Sequence, residues 1–218
     1  MLSNHPFSTF ISSASPVVPF LVGIFVYRKL SIRMKLLWVL FLFTVITEGA
    51  NLYLSYNSIQ NLWLFLVYSI VEFVFLFWIM HSWQQSTTVS YLFLGVVILY
   101  VIVVPGIQVL YGPGSFYLQI FTIRSIVLSA AIIYMLLALA VSGTHFTQNH
   151  QFWVLISFLL INGGTALLYG ISIVVPPAFF TDLYKIVHSG LNTISNLMMA
   201  WAFYVCSRYS LLPNYKEV

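Results

Sequence analysis

The fold class of this chain is decided by one stretch, residues 61–80, which reads NLWLFLVYSIVEFVFLFWIM. An α-helix rises about 1.5 Å per residue, so about 20 apolar residues in a row cross the hydrocarbon core of a bilayer. This stretch has that length, and Glu72 is its one charged residue. It therefore predicts a membrane-spanning helix that carries a carboxyl group at membrane depth.

The composition of the whole chain agrees with that prediction. Of its 218 residues, 61% are hydrophobic and 6% are charged, and the mean hydropathy is +0.99. A soluble domain carries about 25% charged residues because its surface faces water. The expected partner of this surface is therefore a lipid bilayer. A nucleic-acid partner is not expected, because the net charge of +4 is not spread over a broad basic face.

Seven stretches of the sequence are long and apolar enough to predict spans. They cover residues 8–27, 36–56, 61–80, 89–111, 115–142, 151–175 and 181–207. The first is the least regular, because Pro16 and Pro19 fall within it and predict a kink or a late start. Without it six spans would remain. We expect an all-α membrane protein, a seven-transmembrane-helix bundle that forms one domain over residues 1–218.

The basic residues predict the orientation. Arg28, Lys29, Arg33 and Lys35 share one short loop, and short loops rich in Lys and Arg stay in the cytoplasm. The N-terminus is then outside, and seven crossings place the C-terminus in the cytoplasm. The tryptophans then fall near the membrane boundaries, as interfacial anchors do: Trp38, Trp78, Trp83, Trp153 and Trp201 near the inner one and Trp63 near the outer one.

Four ionisable side chains are predicted to lie at membrane depth, each on a different span. Counted from the outer ends of their spans, Glu48, Glu72, Arg124 and His188 lie roughly 12–16 Å deep. A charge placed there costs at least about 2.5–3.5 kcal/mol, so each of these residues is expected to have a specific structural or functional role. We expect them to share one layer in the outer half of the bundle, with Arg124 pairing with one or both carboxylates.

Amide side chains extend this layer at helical spacing. Asn51 follows Glu48 by three residues and Asn192 follows His188 by four, so each amide shares a helix face with its ionisable neighbour. Further polar residues continue these stripes: Thr44 and Ser55 on the second span, Asn61 and Tyr68 on the third, Lys185 and Asn196 on the seventh. Lipid cannot hydrogen-bond such side chains, so they should point into the bundle. The predicted ligand-binding residues are Glu48, Asn51, Glu72, Arg124, Asn162, His188 and Asn192.

Structural alternatives apply to several of these residues. Asparagines also join membrane helices by hydrogen bonds, and taken one at a time this role explains Asn51, Asn162, Asn192 and Asn196 better than ligand contact does. The histidines outside the spans, His81, His145 and His150, are expected to be ordinary solvated residues.

Three functions fit the predicted site. The preferred one is binding, transporting or sensing a small polar or cationic solute through a polar pocket in the outer leaflet. A second is an intramembrane hydrolase using Glu and His. Catalytic zinc needs three protein ligands and only one histidine reaches membrane depth, so no metal site, catalytic residue or cofactor is assigned. A third is a structural or assembly subunit of a membrane complex.

The same residues carry a resemblance. The runs NLWLFLVYSIVEF at 61–73 and HSGLNTISNLMMAWAF at 188–203, with Glu48, Arg124 and Phe152-Trp153, resemble an uncharacterised seven-transmembrane-helix membrane protein family of Bacteroidota. The likeness covers most of the chain. It implies a multi-pass protein of the bacterial inner (cytoplasmic) membrane and brings no assigned activity.

Overall fold

A computed structural model of the protein describes residues 7–84, 86–112, 116–142, 146–172 and 177–209. All regular structure in these ranges is helical, which confirms the predicted all-α class there. The helices are α1 Phe7–Ala14, α2 Val17–Val26, α3 Ile32–Tyr56, α4 Leu62–Trp83, α5 Thr87–Tyr111, α6 Tyr117–Val141, α7 His150–Ser172 and α8 Pro177–Tyr209, with 3₁₀ turns at Tyr27–Lys29 and Phe146–Gln148.

Six helical segments of the described chain are long and apolar enough to cross a membrane. They are Phe10–Lys29, Ile32–Tyr56, Leu62–Trp83, Thr87–Tyr111, Tyr117–Val141 and His150–Ile171. The helix α8 has 33 residues but is not among them, because Lys185, His188 and the asparagines that follow lower its hydropathy. A count of seven spans, and their orientation, therefore stay predictions.

The described chain divides into two compact units. The first contains α1, α2, α7, α8 and α6 from Phe121 onward. The second contains α3, α4 and α5. The prediction of one domain over residues 1–218 stays a prediction.

In the first unit, the first predicted span is broken in two. The helix α1 ends at Ala14 and α2 begins at Val17, so the break falls at Ser15-Pro16. Proline has no backbone N–H and clashes with the preceding turn, which explains why the helix stops there. The predicted kink is thus confirmed, and α8 packs against both halves as well as against α7.

The helices α7 and α8 form a close antiparallel pair. Trp153 contacts Trp201 near one end, with ring centroids 6.4 Å apart, and Tyr169 stacks on Tyr184 near the other at 5.8 Å. Between these ends, Gly164 lies directly against Leu191. A Cβ at position 164 would lie 3.3 Å from Leu191 Cγ and would overlap its Cδ1, so glycine is what permits this approach.

In the second unit, α4 packs between α3 and α5. Aromatic rings fill the contact with α5, where Phe73 stacks on Tyr100 at 4.0 Å and Phe77 meets Phe93 edge-on at 5.3 Å. Tyr100 OH and Ser69 Oγ form a hydrogen bond of 2.8 Å in the same contact. The helix α5 continues through Pro105 to Tyr111.

The expectation of solvated histidines is wrong for His150 and His81. His150 is fully buried at the first position of α7. That helix begins there because Asn149 Oδ1 accepts a hydrogen bond of 2.8 Å from the Gln151 N–H, as an N-cap residue does. His81, at the end of α4, is half-buried and its Nδ1 hydrogen-bonds Ser90 Oγ. His145 lies outside the described residues.

Candidate functional site

The predicted polar stripes of the second and third spans face each other across α3 and α4. Thr44 Oγ1 and Tyr68 OH form a hydrogen bond of 2.8 Å in the middle of the pair. Near the connecting loop, the Asn61 amide donates to Asn51 Oδ1 and, at 3.1 Å, to Ser55 Oγ. Asn51 is thus positioned by a neighbouring amide at the end of the hairpin.

Glu48 and Glu72 lie on opposite sides of the Thr44–Tyr68 hydrogen bond. Each glutamate is four residues C-terminal to one of the bonded residues, on the same helix face. Because α3 and α4 are antiparallel, the Cα atoms of Glu48 and Glu72 are displaced in opposite directions, to a separation of roughly 12 Å along the hairpin.

Helical side chains lean toward the N-terminus of their own helix, which is the direction of Thr44 for Glu48 and of Tyr68 for Glu72. Both glutamates are half-buried. Two acidic groups on one apolar hairpin repel each other when ionised, and either a proton or a cation relieves that repulsion. The arrangement is suited to a positively charged or hydrogen-bond-donating solute.

In the first unit, Asn192 contacts the break in the first predicted span. Its Nδ2 donates to the Ser12 carbonyl at 3.2 Å and to Ser12 Oγ at 2.9 Å. In an unbroken helix that carbonyl would accept the N–H of residue 16, which is a proline and has none. Ser15 Oγ also donates to the Ser12 carbonyl, at 2.7 Å. The Asn192 amide therefore replaces a hydrogen bond that Pro16 removes.

Asn196, one turn further along α8, completes this arrangement. Its Nδ2 donates to Ser15 Oγ at 2.7 Å and to Asn192 Oδ1 at 3.3 Å. Ser12, Ser15 and Asn196 are buried. Their polar groups are thereby satisfied within the unit, as buried polar groups must be. In these contacts Asn192 and Asn196 join α8 to the broken helix by hydrogen bonds, which is the structural role considered for both residues as an alternative to ligand binding.

His188 belongs to an aromatic stack between α7 and α8. Its ring is parallel to that of Tyr184, with an interplanar angle of 6° and centroids 5.2 Å apart. Tyr184 stacks in turn on Tyr169, and their hydroxyl groups are 3.3 Å apart. On the α7 side, Thr165 Oγ1 lies 3.5 Å from His188 Nδ1. The imidazole is therefore oriented by stacking and by one hydroxyl group.

The other two predicted site residues have local contacts within the first unit. Asn162 is buried and its Nδ2 donates to the Phe158 carbonyl, one turn back in α7, at 3.0 Å. Arg124 is only 6% exposed, and its guanidinium carbon lies 5.7 Å from the centre of the Phe121 ring. This distance is within the range of a cation–π interaction.

The predicted site residues are thus divided between the two units. Glu48, Asn51 and Glu72 belong to the second unit and Arg124, Asn162, His188 and Asn192 to the first. Within each unit, the structure brings the glutamates to the Thr44–Tyr68 bond and Asn192 to the helix break. The convergence of all seven residues on a single pocket stays a prediction.

Sequence analysis missed several polar contacts. The clearest joins Ser157 on α7 to Ser195 on α8, where each hydroxyl donates to the other residue's carbonyl, at 2.8 and 2.9 Å. Ser12 and Ser15 at the break, and the tyrosine partners of His188, were missed as well. Isolated serines in apolar runs are the signal for such contacts, but the sequence does not say which carbonyl each hydroxyl reaches.

A protein metal site needs several ligating side chains that lie close together. Among the described residues, no group of three or more His, Cys, Asp or Glu side chains could hold a metal ion.

Comparison with protein-family models, with curated proteins and with solved structures finds no match to this chain.

Proposed function

We propose that this is a seven-span protein of the bacterial cytoplasmic membrane that binds a small polar or cationic solute at Glu48 and Glu72, and transports or senses it. The observation that carries the proposal is the placement of these two glutamates around the Thr44–Tyr68 hydrogen bond in an apolar hairpin. Ionisable residues at membrane depth are expensive and typically mark the path or binding site of a solute.

The proposal counts α8 as the seventh span. Its mean hydropathy is low because of residues such as Asn192, Asn196 and Ser195, whose hydrogen bonds are made within the first unit. A polar side chain does not need water when its hydrogen bonds are made within the protein. The helix α8 can therefore cross a bilayer although its mean hydropathy is lower than that of the neighbouring helices.

Solute binding is tested by thermal unfolding of the purified, detergent-solubilised protein. The panel contains Na⁺, K⁺, ammonium, choline and neutral polar solutes, each at increasing concentration. A solute at 100 times its Kd stabilises the folded state by about 2.7 kcal/mol. We expect one class to raise Tm in the wild type and to have much less effect on Glu72→Gln and Glu48→Gln.

The matched control is Glu217→Gln, which removes the same formal charge outside the predicted spans. This variant should respond like the wild type. If no solute shifts Tm while Glu72→Gln alone lowers it, the glutamates are structural and the proposal fails.

The structural alternative has its own supporting observation, the internal bonding of the amides on α8. Under that alternative the protein is a structural or assembly subunit, and its polar residues only hold helices together. The same titration separates the two functions, since a subunit of this kind loses stability in the variants and never responds to a solute.

The seven-span topology is tested by cysteine labelling in intact cells. The one native cysteine, Cys206, is buried and can be replaced by Ala to remove background. With a membrane-impermeant maleimide we expect Asn57→Cys to label in intact cells and Ser86→Cys only after permeabilisation, since both positions are exposed and lie at opposite ends of α4. A Lys216→Cys variant that labels in intact cells would contradict an odd number of spans.

A further inference from the structure

An apolar cavity lies on the surface of the second unit, between α3 and α4. Its volume is about 340 Å³ and it is lined by Leu36, Val74, Phe75, Trp78 and Ile79. Small-ligand sites range over roughly 300–1,000 Å³, so this volume suits one slender apolar group, such as part of an acyl chain.

The cavity is near one end of the hairpin. Leu36 is in the second turn of α3, and Ile79 is one turn before the end of α4 at Trp83. Trp78, at the same level, is 58% exposed. An exposed tryptophan near a span end is typical of the boundary between acyl chains and headgroups. The cavity therefore opens where a lipid chain meets its headgroup.

Positive charge lies beside this end of the cavity. Arg33 precedes Leu36 by three residues, which puts it on the same face of α3 and one turn closer to the membrane boundary. Long basic side chains near span ends extend toward the interface. Basic pockets between transmembrane helices on the cytoplasmic side bind anionic headgroups.

We propose that this cavity is a binding site for one anionic glycerophospholipid, whose acyl chain occupies the space under Trp78 and whose phosphate pairs with Arg33. The charge complementarity selects this occupant over a neutral lipid. The site requires that α3 and α4 span the bilayer with the Arg33 end on the cytoplasmic side, and it is independent of solute binding at Glu48 and Glu72.

The matched variants are Arg33→Gln and Lys35→Gln. They remove the same charge from the same turn, but Lys35 is adjacent to Leu36 in sequence and so is rotated about 100° away from its face. The probe is the protein in nanodiscs of phosphatidylcholine with a minor fraction of brominated phosphatidylglycerol, and quenching of tryptophan fluorescence measures occupancy.

We expect Trp78→Phe to remove most of the quenching that depends on phosphatidylglycerol. Arg33→Gln should weaken the phosphatidylglycerol dependence about fivefold, which is the loss of one cation near the surface. Lys35→Gln should weaken it clearly less. Quenching that is equal for brominated phosphatidylcholine and phosphatidylglycerol, or unchanged in Arg33→Gln, would overturn the proposal.

Two further outcomes are informative. If free inorganic phosphate reverses the quenching at millimolar concentration, the headgroup phosphate alone is recognised and the acyl-chain part of the proposal fails. If Val74→Trp, which fills the cavity, dissociates a dimer seen by native mass spectrometry without changing lipid dependence, the occupant is a second copy of the chain. A cooperative thermal unfolding transition with a wild-type Tm in phosphatidylcholine nanodiscs confirms that Arg33→Gln is folded.

Discussion

The α7–α8 pair and the α3–α4 hairpin each consist of two antiparallel helices that polar side chains hold together. The polar groups that make these contacts differ in their chemistry. In α7–α8 the central bonds include the exchange in which the hydroxyl groups of Ser157 and Ser195 each reach the other residue's carbonyl, and no carboxyl group lies one turn from them. In α3–α4 the bonds run from side chain to side chain, and a carboxyl group lies one turn to either side of them.

This difference shows how to interpret polar residues in an apolar chain. Small neutral groups that bond to a neighbouring carbonyl add hydrogen bonds at low desolvation cost, and they suit packing. Carboxyl groups are far more expensive to keep in an apolar span, and they suit chemistry. Polar stripes with the same spacing in the sequence can therefore have different roles.

The largest expected change in the free energy of unfolding comes from a substitution at the close contact between α7 and α8. Gly164→Ala should destabilise the protein relative to Gly163→Ala by about 1–3 kcal/mol, because the new methyl group overlaps Leu191. At position 163 the nearest atom to an added Cβ is Ser129 Oγ at 3.7 Å, an ordinary contact. The gain in helix propensity is the same in both variants and cancels.

The measurement is the free energy of unfolding of both variants in the same detergent. Leu191→Ala in the Gly164→Ala background should recover part of the loss. Equal stability of the two alanine variants would show that α7 and α8 are not as close as proposed at this point.

The next largest change in the free energy of unfolding is expected at the break between α1 and α2. Asn192→Ala should lower the free energy of unfolding by about 0.6–1.7 kcal/mol, the range of hydrogen bonds between membrane helices. In a Pro16→Ala background the loss should be smaller, because residue 16 then has an N–H for the Ser12 carbonyl. A double-mutant cycle measures this coupling. If the effects of the two variants on the free energy of unfolding are additive, the Asn192 amide does not replace the backbone hydrogen bond that Pro16 removes.

A smaller coupling free energy is expected between Ser157 and Ser195. The double-mutant cycle with Ser157→Ala and Ser195→Ala should give a coupling of about 0.5–1 kcal/mol, because each substitution removes one of two reciprocal bonds. Ser207→Ala is the control, since the Ser207 hydroxyl donates to the Tyr204 carbonyl of its own helix. Coupling of Ser207 to Ser157 would indicate a global change instead.

The smallest effect on stability is expected in the α3–α4 hairpin, where the functional consequence should be largest. Tyr68→Phe removes the hydroxyl that bonds Thr44 and should lower the free energy of unfolding by about 0.6 kcal/mol. It should weaken the solute-dependent rise in Tm more than Tyr184→Phe, the matched substitution in the first unit. If Tyr184→Phe weakens the response more, the solute site is beside His188 and not at the glutamates.

Much of the fold followed from local chemistry. The apolar stretches predicted the helices α3 to α7 to within a few residues, because about 20 apolar residues in a row have few alternatives to a membrane helix. The prolines at 16 and 19 predicted the irregular first span, because a missing N–H acts on the same turn of the chain. The burial of His150 at the first position of α7 did not follow from local chemistry, because burial depends on the helices packed around it.

The candidate site was predicted only in its components. Helical spacing predicts Thr44, Glu48 and Asn51 on one face, and the contacts of Thr44 and Asn51 across the α3–α4 hairpin agree with it. It did not reveal that Asn192 reaches Ser12, which is 180 positions away in the sequence. Nor did it reveal that Tyr184 and His188 stack, because ring orientation depends on the neighbouring helix.

The sequence by itself determined that the chain is helical, apolar enough for a membrane and furnished with a few costly polar groups. Hydropathy and helical period are properties of consecutive residues, so they can be derived from the chain alone. Only the tertiary structure decided which polar groups are used in packing, as Asn192 and Asn196 are at the broken helix, because hydrogen-bond partners come from distant segments. It also decided that Thr44 meets Tyr68, so that Glu48 and Glu72 lie one turn to either side of that bond, since the register between antiparallel helices is set by packing and not by spacing.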